Sequence, residues 1–255
     1  MILGEPPRSA YDLHFRLFGI PVRVHPLFWL LTVLLMARSL LETTNARDFL
    51  AMLLPWLSAV FVSVLIHELG HAAAMRFYGR RPWITLYAMG GLTSSQQDGF
   101  YGSAKSATLR EIVISVAGPA AGFVLAATLA LAVRLSGHAI FFQFGWPIGL
   151  ILDMEPIGSA LLSDFIYYLL FVSIYWGVLN LLPIYPLDGG QIAREVFLAW
   201  DSREGIRRSL MLSVISAAAL AAIGLLLWQS LFVAILFGYM AYTSYTALQS
   251  YRQHW

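Results

Sequence analysis

The run His67-Glu68-Leu69-Gly70-His71 joins the residue types needed to hold a divalent metal ion and to move a proton beside it. On an α-helix, residues i and i+4 share a face, so two imidazoles at this spacing can reach one ion. The neighbouring carboxylate can take a proton from a water activated there. The spacing therefore points to hydrolytic metal chemistry, with His67 and His71 as ligands and Glu68 as general base. The plainer reading is three ordinary polar residues near a helix end. Its weakness is the setting. The apolar run Phe61 to Ile66 leads straight into them, and ionisable groups at membrane depth are costly unless they have partners or a function.

A catalytic tetrahedral site with two histidines and a water needs a third protein ligand. The chain has no cysteine, which excludes thiolate ligands and disulfides. The best candidate is Asp188, in the stretch from Asn180 through Pro183 and Pro186 to Gly189-Gly190. The prolines end the preceding helix, and the glycine pair permits a sharp turn. Alone, Asp188 reads as a solvated loop carboxylate. Opposite two histidines it reads as a ligand.

The elements that must carry these groups are mostly apolar. Only 12% of the 255 residues are charged and 59% are hydrophobic, with a mean hydropathy of +0.70. Soluble domains carry about 25% charged residues. Six apolar runs stand out: Leu27–Leu41, Leu50–Met75, Ile112–Leu135, Leu161–Leu182, Leu210–Leu227 and Leu231–Leu248. A membrane span needs about 20 such residues. The expected fold is an α-helical polytopic membrane protein of about six transmembrane helices, with short membrane-associated strands or re-entrant loops. It is read as a single intramembrane domain over 1–255. Residues 1–24 form a cytoplasmic segment, 25–182 hold the first four spans, 183–190 complete the metal site, and 209–248 form a helical hairpin.

Charge sets the orientation. With the N-terminus in the cytoplasm, all sixteen Lys and Arg fall on the cytoplasmic side except Arg38, Arg47 and Arg134. Both termini are then cytoplasmic, and His67, His71 and Asp188 lie toward the same side. The net charge of +2 makes no case for nucleic acid. Met1 to Arg8 shows no basic stretch leading into an apolar run, so no cleavable signal is expected. Between spans, His14–Val24 reads as a short strand pair, Arg80–Thr93 as strand and turn or re-entrant structure, and Ile140–Leu152 as an interfacial or re-entrant loop.

Taken together, His67-Glu68-x-x-His71, Asn180-x-x-Pro183 and Leu187-Asp188-Gly189 resemble the site-2 protease family of intramembrane metalloproteases. Val24-His25-Pro26, Gly90-Gly91 and Ala117-Gly118-Pro119 add to the resemblance, which covers about residues 14 to 200. It implies zinc at His67, His71 and Asp188, with Glu68 as general base. It also implies hydrolysis of membrane-spanning protein substrates in regulated proteolysis, in a prokaryotic cell membrane. A homodimer or a separate regulatory partner is compatible with it. The departure is Gly118-Pro119-Ala120-Ala121-Gly122, where many relatives have an Asn at the last position. Asn180, Gly90 and Gly91 are left as contacts for the substrate or its oxyanion, with helix packing as the other reading of Asn180.

Two other functions fit parts of this pattern: a metal-binding membrane transporter and a non-catalytic client-binding scaffold. The transporter lacks paired broken helices, and the scaffold has no use for Glu68. His25, before Pro26, reads as a cap or anchor ahead of a gating role. Gly118-x-x-x-Gly122 reads as a close-packing face. Finally, Pro82–Leu92 could offer a strand edge to an unwound client, or merely close the cytoplasmic mouth.

Overall fold

A computed structural model describes residues 6–36, 45–96, 104–145 and 149–253. Its elements are β1 (Leu13–Leu17), β2 (Ile20–Val24), α1 (Pro26–Leu35), α2 (Ala46–Phe77), β3 (Arg81–Tyr87), β4 (Gly90–Gln96), α3 (Ala104–Leu135), β5 (Ile140–Gly145), β6 (Gly149–Met154), α4 (Ala160–Asn180), α5 (Asp188–Trp200), α6 (Gly205–Leu226) and α7 (Leu231–Gln253). They gather into two compact units. One is built from the described parts of Met1–Gly99, Ala117–Phe144 and Leu150–Gly177, the other from those of Phe100–Val116, Gly145–Gly149 and Val178–Trp255.

In the first unit, α2 is the spine. Its 32 residues span about 48 Å at 1.5 Å each, more than the roughly 30 Å of a bilayer core. Asn45 caps its start, accepting from Arg47 N–H at 2.9 Å. His25 caps α1 in the same way, its Nδ1 accepting from Leu27 N–H at 3.2 Å. A four-stranded sheet in the order β1-β2-β3-β4 covers α2. β2 and β3 run parallel, with Val22 opposite Ile84, and β3 and β4 run antiparallel, with Ile84 opposite Thr93. Side chains alternate across a strand. One face therefore buries Ile20, Val22, Val24, Ile84 and Leu86 against Val60, Val64, Leu65 and Ala72 of α2. The contact of α2 with α4 includes a hydroxyl pair, Ser63 Oγ to Ser173 Oγ at 3.0 Å.

The strand assignments sharpen two expectations. Of Pro82–Leu92, the part up to Tyr87 lies on β3, an inner strand paired on both sides, and residues 90–92 lie on β4, which with β1 forms the edges of the sheet. Ile140–Leu152 belongs to a β-hairpin, β5–β6, with 146–148 outside the described residues. Ile140 and Leu152 turn inward onto Ala126, Val133 and Leu170, whereas Phe141, Phe142 and Ile151 are exposed.

Among the described residues, five helices are long and apolar enough to cross a membrane: Arg47–Phe77, Ala107–Leu135, Ala160–Asn180, Gly205–Leu226 and Leu231–Tyr251. The remaining expected span, Leu27–Leu41, is seen as α1, and residues 37–44 lie outside the described residues.

In the second unit, α6 and α7 pack against each other. The segment before α5 is bonded to both: Tyr185 N–H donates to Ser213 Oγ at 3.0 Å, and Ser244 Oγ donates to Tyr185 O at 3.4 Å. Gly189 and Gly190 do not make a sharp turn. They sit in the first turn of α5, where a Cβ would collide with the carbonyls of Leu181 and Ile184. Asp201 ends α5 and braces the turn that leads into α6, whose cap residue is Glu204. Asp201 Oδ1 accepts from Arg203 and Glu204 N–H at 3.0 and 3.2 Å, and Arg208 stands 3.2 Å from Oδ2.

Candidate metal centre

His67, Glu68 and His71 lie on the buried side of α2, at 2%, 4% and 7% exposure. His71 is six residues, about 9 Å along the axis, from the C-terminal end of the helix. The helical spacing brings the two rings edge to face, with their Nε2 atoms 3.2 Å apart. Two nitrogens each 2.0–2.1 Å from one tetrahedral zinc ion would stand about 3.3 Å apart. The pair therefore fits such an ion without rearrangement. Gly118 of α3 is part of the cradle. A Cβ there would collide with the His71 ring at Nε2, so any side chain at 118 would displace the ring.

The Glu68 carboxylate is gripped from the sheet. Thr93 of β4 donates its hydroxyl to Glu68 Oε2 at 2.7 Å and lies 3.1 Å from the Glu68 carbonyl. Gly91, two residues earlier on the same face, abuts Glu68, and a Cβ at that position would collide with its Cγ and Oε1. Gly90 is held by two demands: its φ is +103°, and a Cβ would collide with the Trp176 ring of α4. The Tyr87 phenol is pushed above its usual 10.0, first by burial and then by Glu68.

Asn180 is the last residue of α4 and is buried, at 8% exposure. Asp188 opens α5, half-buried, with Leu187 as the cap residue and no side-chain cap bond. In the second unit it is thus a carboxylate on the first turn of a helix instead of a loop. His25 is used in capping α1. Gly118 and Gly122 do form a packing face, Gly118 against His71 and Gly122 against the Ser173 carbonyl at 3.3 Å from a built Cβ.

Thr93 and Trp176 were not among the residues singled out by motif. Thr93 carries one signal in sequence: with Gly91 it shares the face of β4 opposite Leu92, by simple alternation. Nothing in the sequence says that this face meets Glu68. Trp176 has no signal at all beyond being aromatic on a span.

The family model for Peptidase family M50 matches residues 55–227. A zinc metalloprotease of Methanocaldococcus jannaschii is 28% identical over 213 residues, 83% of this chain and 52% of that protein. Stage IV sporulation protein FB of Bacillus subtilis is 27% identical over 180 residues, 70% of this chain and 48% of that protein. The chain spans about half the length of these curated relatives. Among solved structures, the site-2 protease from Methanocaldococcus jannaschii has a TM-score of 0.57 at 20% identity, over 93% of this chain and 95% of that one, a likeness of fold. The matched stretch begins within α2, takes in the histidine pair, Glu68 and Asp188, and closes with α6. The chain is therefore an integral membrane member of Peptidase family M50, the site-2 group of zinc metalloproteases.

Proposed function

We propose that this chain hydrolyses peptide bonds of membrane-spanning proteins, in regulated proteolysis, at a zinc centre held by His67, His71 and Asp188. The observation that carries this reading is Glu68. A buried carboxylate held beside two convergent imidazoles has little structural purpose and an obvious chemical one. Bound zinc supplies Lewis acidity, polarising a carbonyl and making a water acidic enough to lose its proton near neutral pH. Glu68 takes that proton and delivers it to the amine as the C–N bond breaks. A third protein ligand is required by the coordination chemistry. Asp188, a half-buried carboxylate at the first turn of α5, is assigned to it.

A transmembrane helix hides its carbonyls in its own hydrogen bonds, so a client must unwind before attack. β4 is the sheet edge suited to receive the unwound segment as an added strand. The β4 backbone at Gly90 and Gly91, with Asn180, is assigned to hold the scissile carbonyl. The close approach of Gly91 to Glu68 supports this. The orientation with both termini cytoplasmic follows from the basic residues.

Comparative proteomics of membrane fractions from cells carrying wild-type chain or Glu68→Gln tests the reading. Client fragments should appear with wild type alone. Identical fragment patterns would overturn the proteolytic assignment. Metal analysis of purified His67→Ala and Asp188→Ala tests the ligands, and full zinc content in both would exclude them.

A further inference from the structure

We infer that Thr93 is a positioning residue for Glu68, and that it couples the base to the strand on which the client is laid. This rests on the proteolytic reading above. Thr93 Oγ1 has one proton and two acceptors within reach, Glu68 Oε2 at 2.7 Å and Glu68 O at 3.1 Å. The shorter contact has the length of a charge-assisted O–H···O⁻ bond, so the proton goes to the carboxylate.

The rest of the carboxylate is fixed by the same strand. Gly91 presents bare backbone to Glu68 Cγ and Oε1. β4 thus donates to one oxygen and walls off the side chain next to the other. A glutamate has several side-chain torsions and without such contacts would populate several orientations. Locking it on a strand preorganises it. Thr93 reaches Glu68 from 25 residues away, and β4 is the antiparallel partner of β3. Its own free edge therefore lies one strand spacing, about 4.8 Å, from the backbone of an added client. The strand that receives the scissile segment and the strand that aims the base are the same.

A purely structural role for Thr93 predicts something different from this, and two variants separate them. Thr93→Val keeps the β-branched shape and removes the hydroxyl; Thr93→Ser keeps the hydroxyl. The full-length chain is purified in detergent and assayed on a single-span substrate peptide with a Gly-Pro pair midway along its apolar segment. With Thr93→Val, kcat should fall about 10- to 100-fold while KM stays within about twofold and zinc content is unchanged. Thr93→Ser should restore kcat to within about threefold of wild type. Wild-type kcat in Thr93→Val, or an equal loss in Thr93→Ser, overturns the proposal.

A second measurement does not need activity. Thr93→Val should lower Tm by about 2–4 °C in the wild-type background and by clearly less in Glu68→Ala, where only the longer bond to the residue-68 carbonyl is left to lose. Equal shifts in both backgrounds would show that Thr93 does not act through Glu68. If the wild-type chain cuts nothing, the proteolytic reading fails, and the Tm comparison still decides whether Thr93 grips the carboxylate.

Discussion

Two imidazole nitrogens 3.2 Å apart and a carboxylate one residue away come from a single helical turn. The chemistry they can perform depends on what surrounds them. Glu68→Gln keeps the shape of the side chain and can still accept from Thr93, but the amide cannot take a proton. It should fold and bind zinc normally while cleavage drops by about 10² or more, measured as turnover against zinc content. Gly118→Ala acts on the metal. Its Cβ would collide with His71 Nε2, so the ring must turn away. Zinc affinity should fall by about 10- to 100-fold in a competitive chelator titration. Gly122→Ala is the control, since its Cβ meets only the Ser173 carbonyl at 3.3 Å. Equal zinc affinity for Gly118→Ala and wild type would show that the cradle is unimportant.

At the scale of elements, the sheet is what covers the helix that carries His67, Glu68 and His71 and reaches Glu68. Its buried face anchors it on α2 through Ile84 and Leu86, and β4 is left as an edge. The chain contains no cysteine, so introduced thiols are unique. Ser94→Cys on β4 should form a disulfide with a cysteine near the cut site of a client, whereas Arg16→Cys on β1, the other edge, should not. Cross-linking at β1 alone would move the client to the wrong edge. The α5–α6 junction makes a separate, electrostatic prediction. Asp201 is held below its ordinary 3.8 by the N–H groups of Glu204 and Arg203, with Arg208 adding to them against some burial. A depressed carboxyl stabilises the fold above its unfolded pKa, and that contribution is lost as pH falls through the folded value. Asp201→Asn retains an acceptor and lacks the charge. Wild type should therefore melt higher than Asp201→Asn at neutral pH, and the two midpoints should converge below pH 3.8.

For the whole molecule, the distribution of basic residues predicts both termini on the cytoplasmic side and the β5–β6 hairpin on the other. Reporter fusions at the C-terminus and between Gly149 and Glu155 would decide it; an outward C-terminus would overturn the orientation. The shared helix of His67, Glu68 and His71, and five of the six apolar runs as long helices, were legible in the residues. Helical periodicity is local, so His67 and His71 must share a face wherever α2 goes, and a run of apolar residues must seek lipid or a core. What was not legible is which surfaces meet. Alternation in Gly90–Gln96 says that Gly91 and Thr93 share a face, but it is silent on the partner. The same holds for Gly118, whose spacing to Gly122 announced close packing without naming His71. Strand order is hidden for the same reason: Pro82–Tyr87 has the composition of a strand, and being inner or outer depends on whether β2, some sixty residues earlier in the chain, comes to pair with it. Local sequence fixes period and polarity because those depend on neighbours a few bonds away. The grip of Thr93 on Glu68, the cradle at His71 and the edge at β4 depend on long-range packing, and only the folded chain decided them.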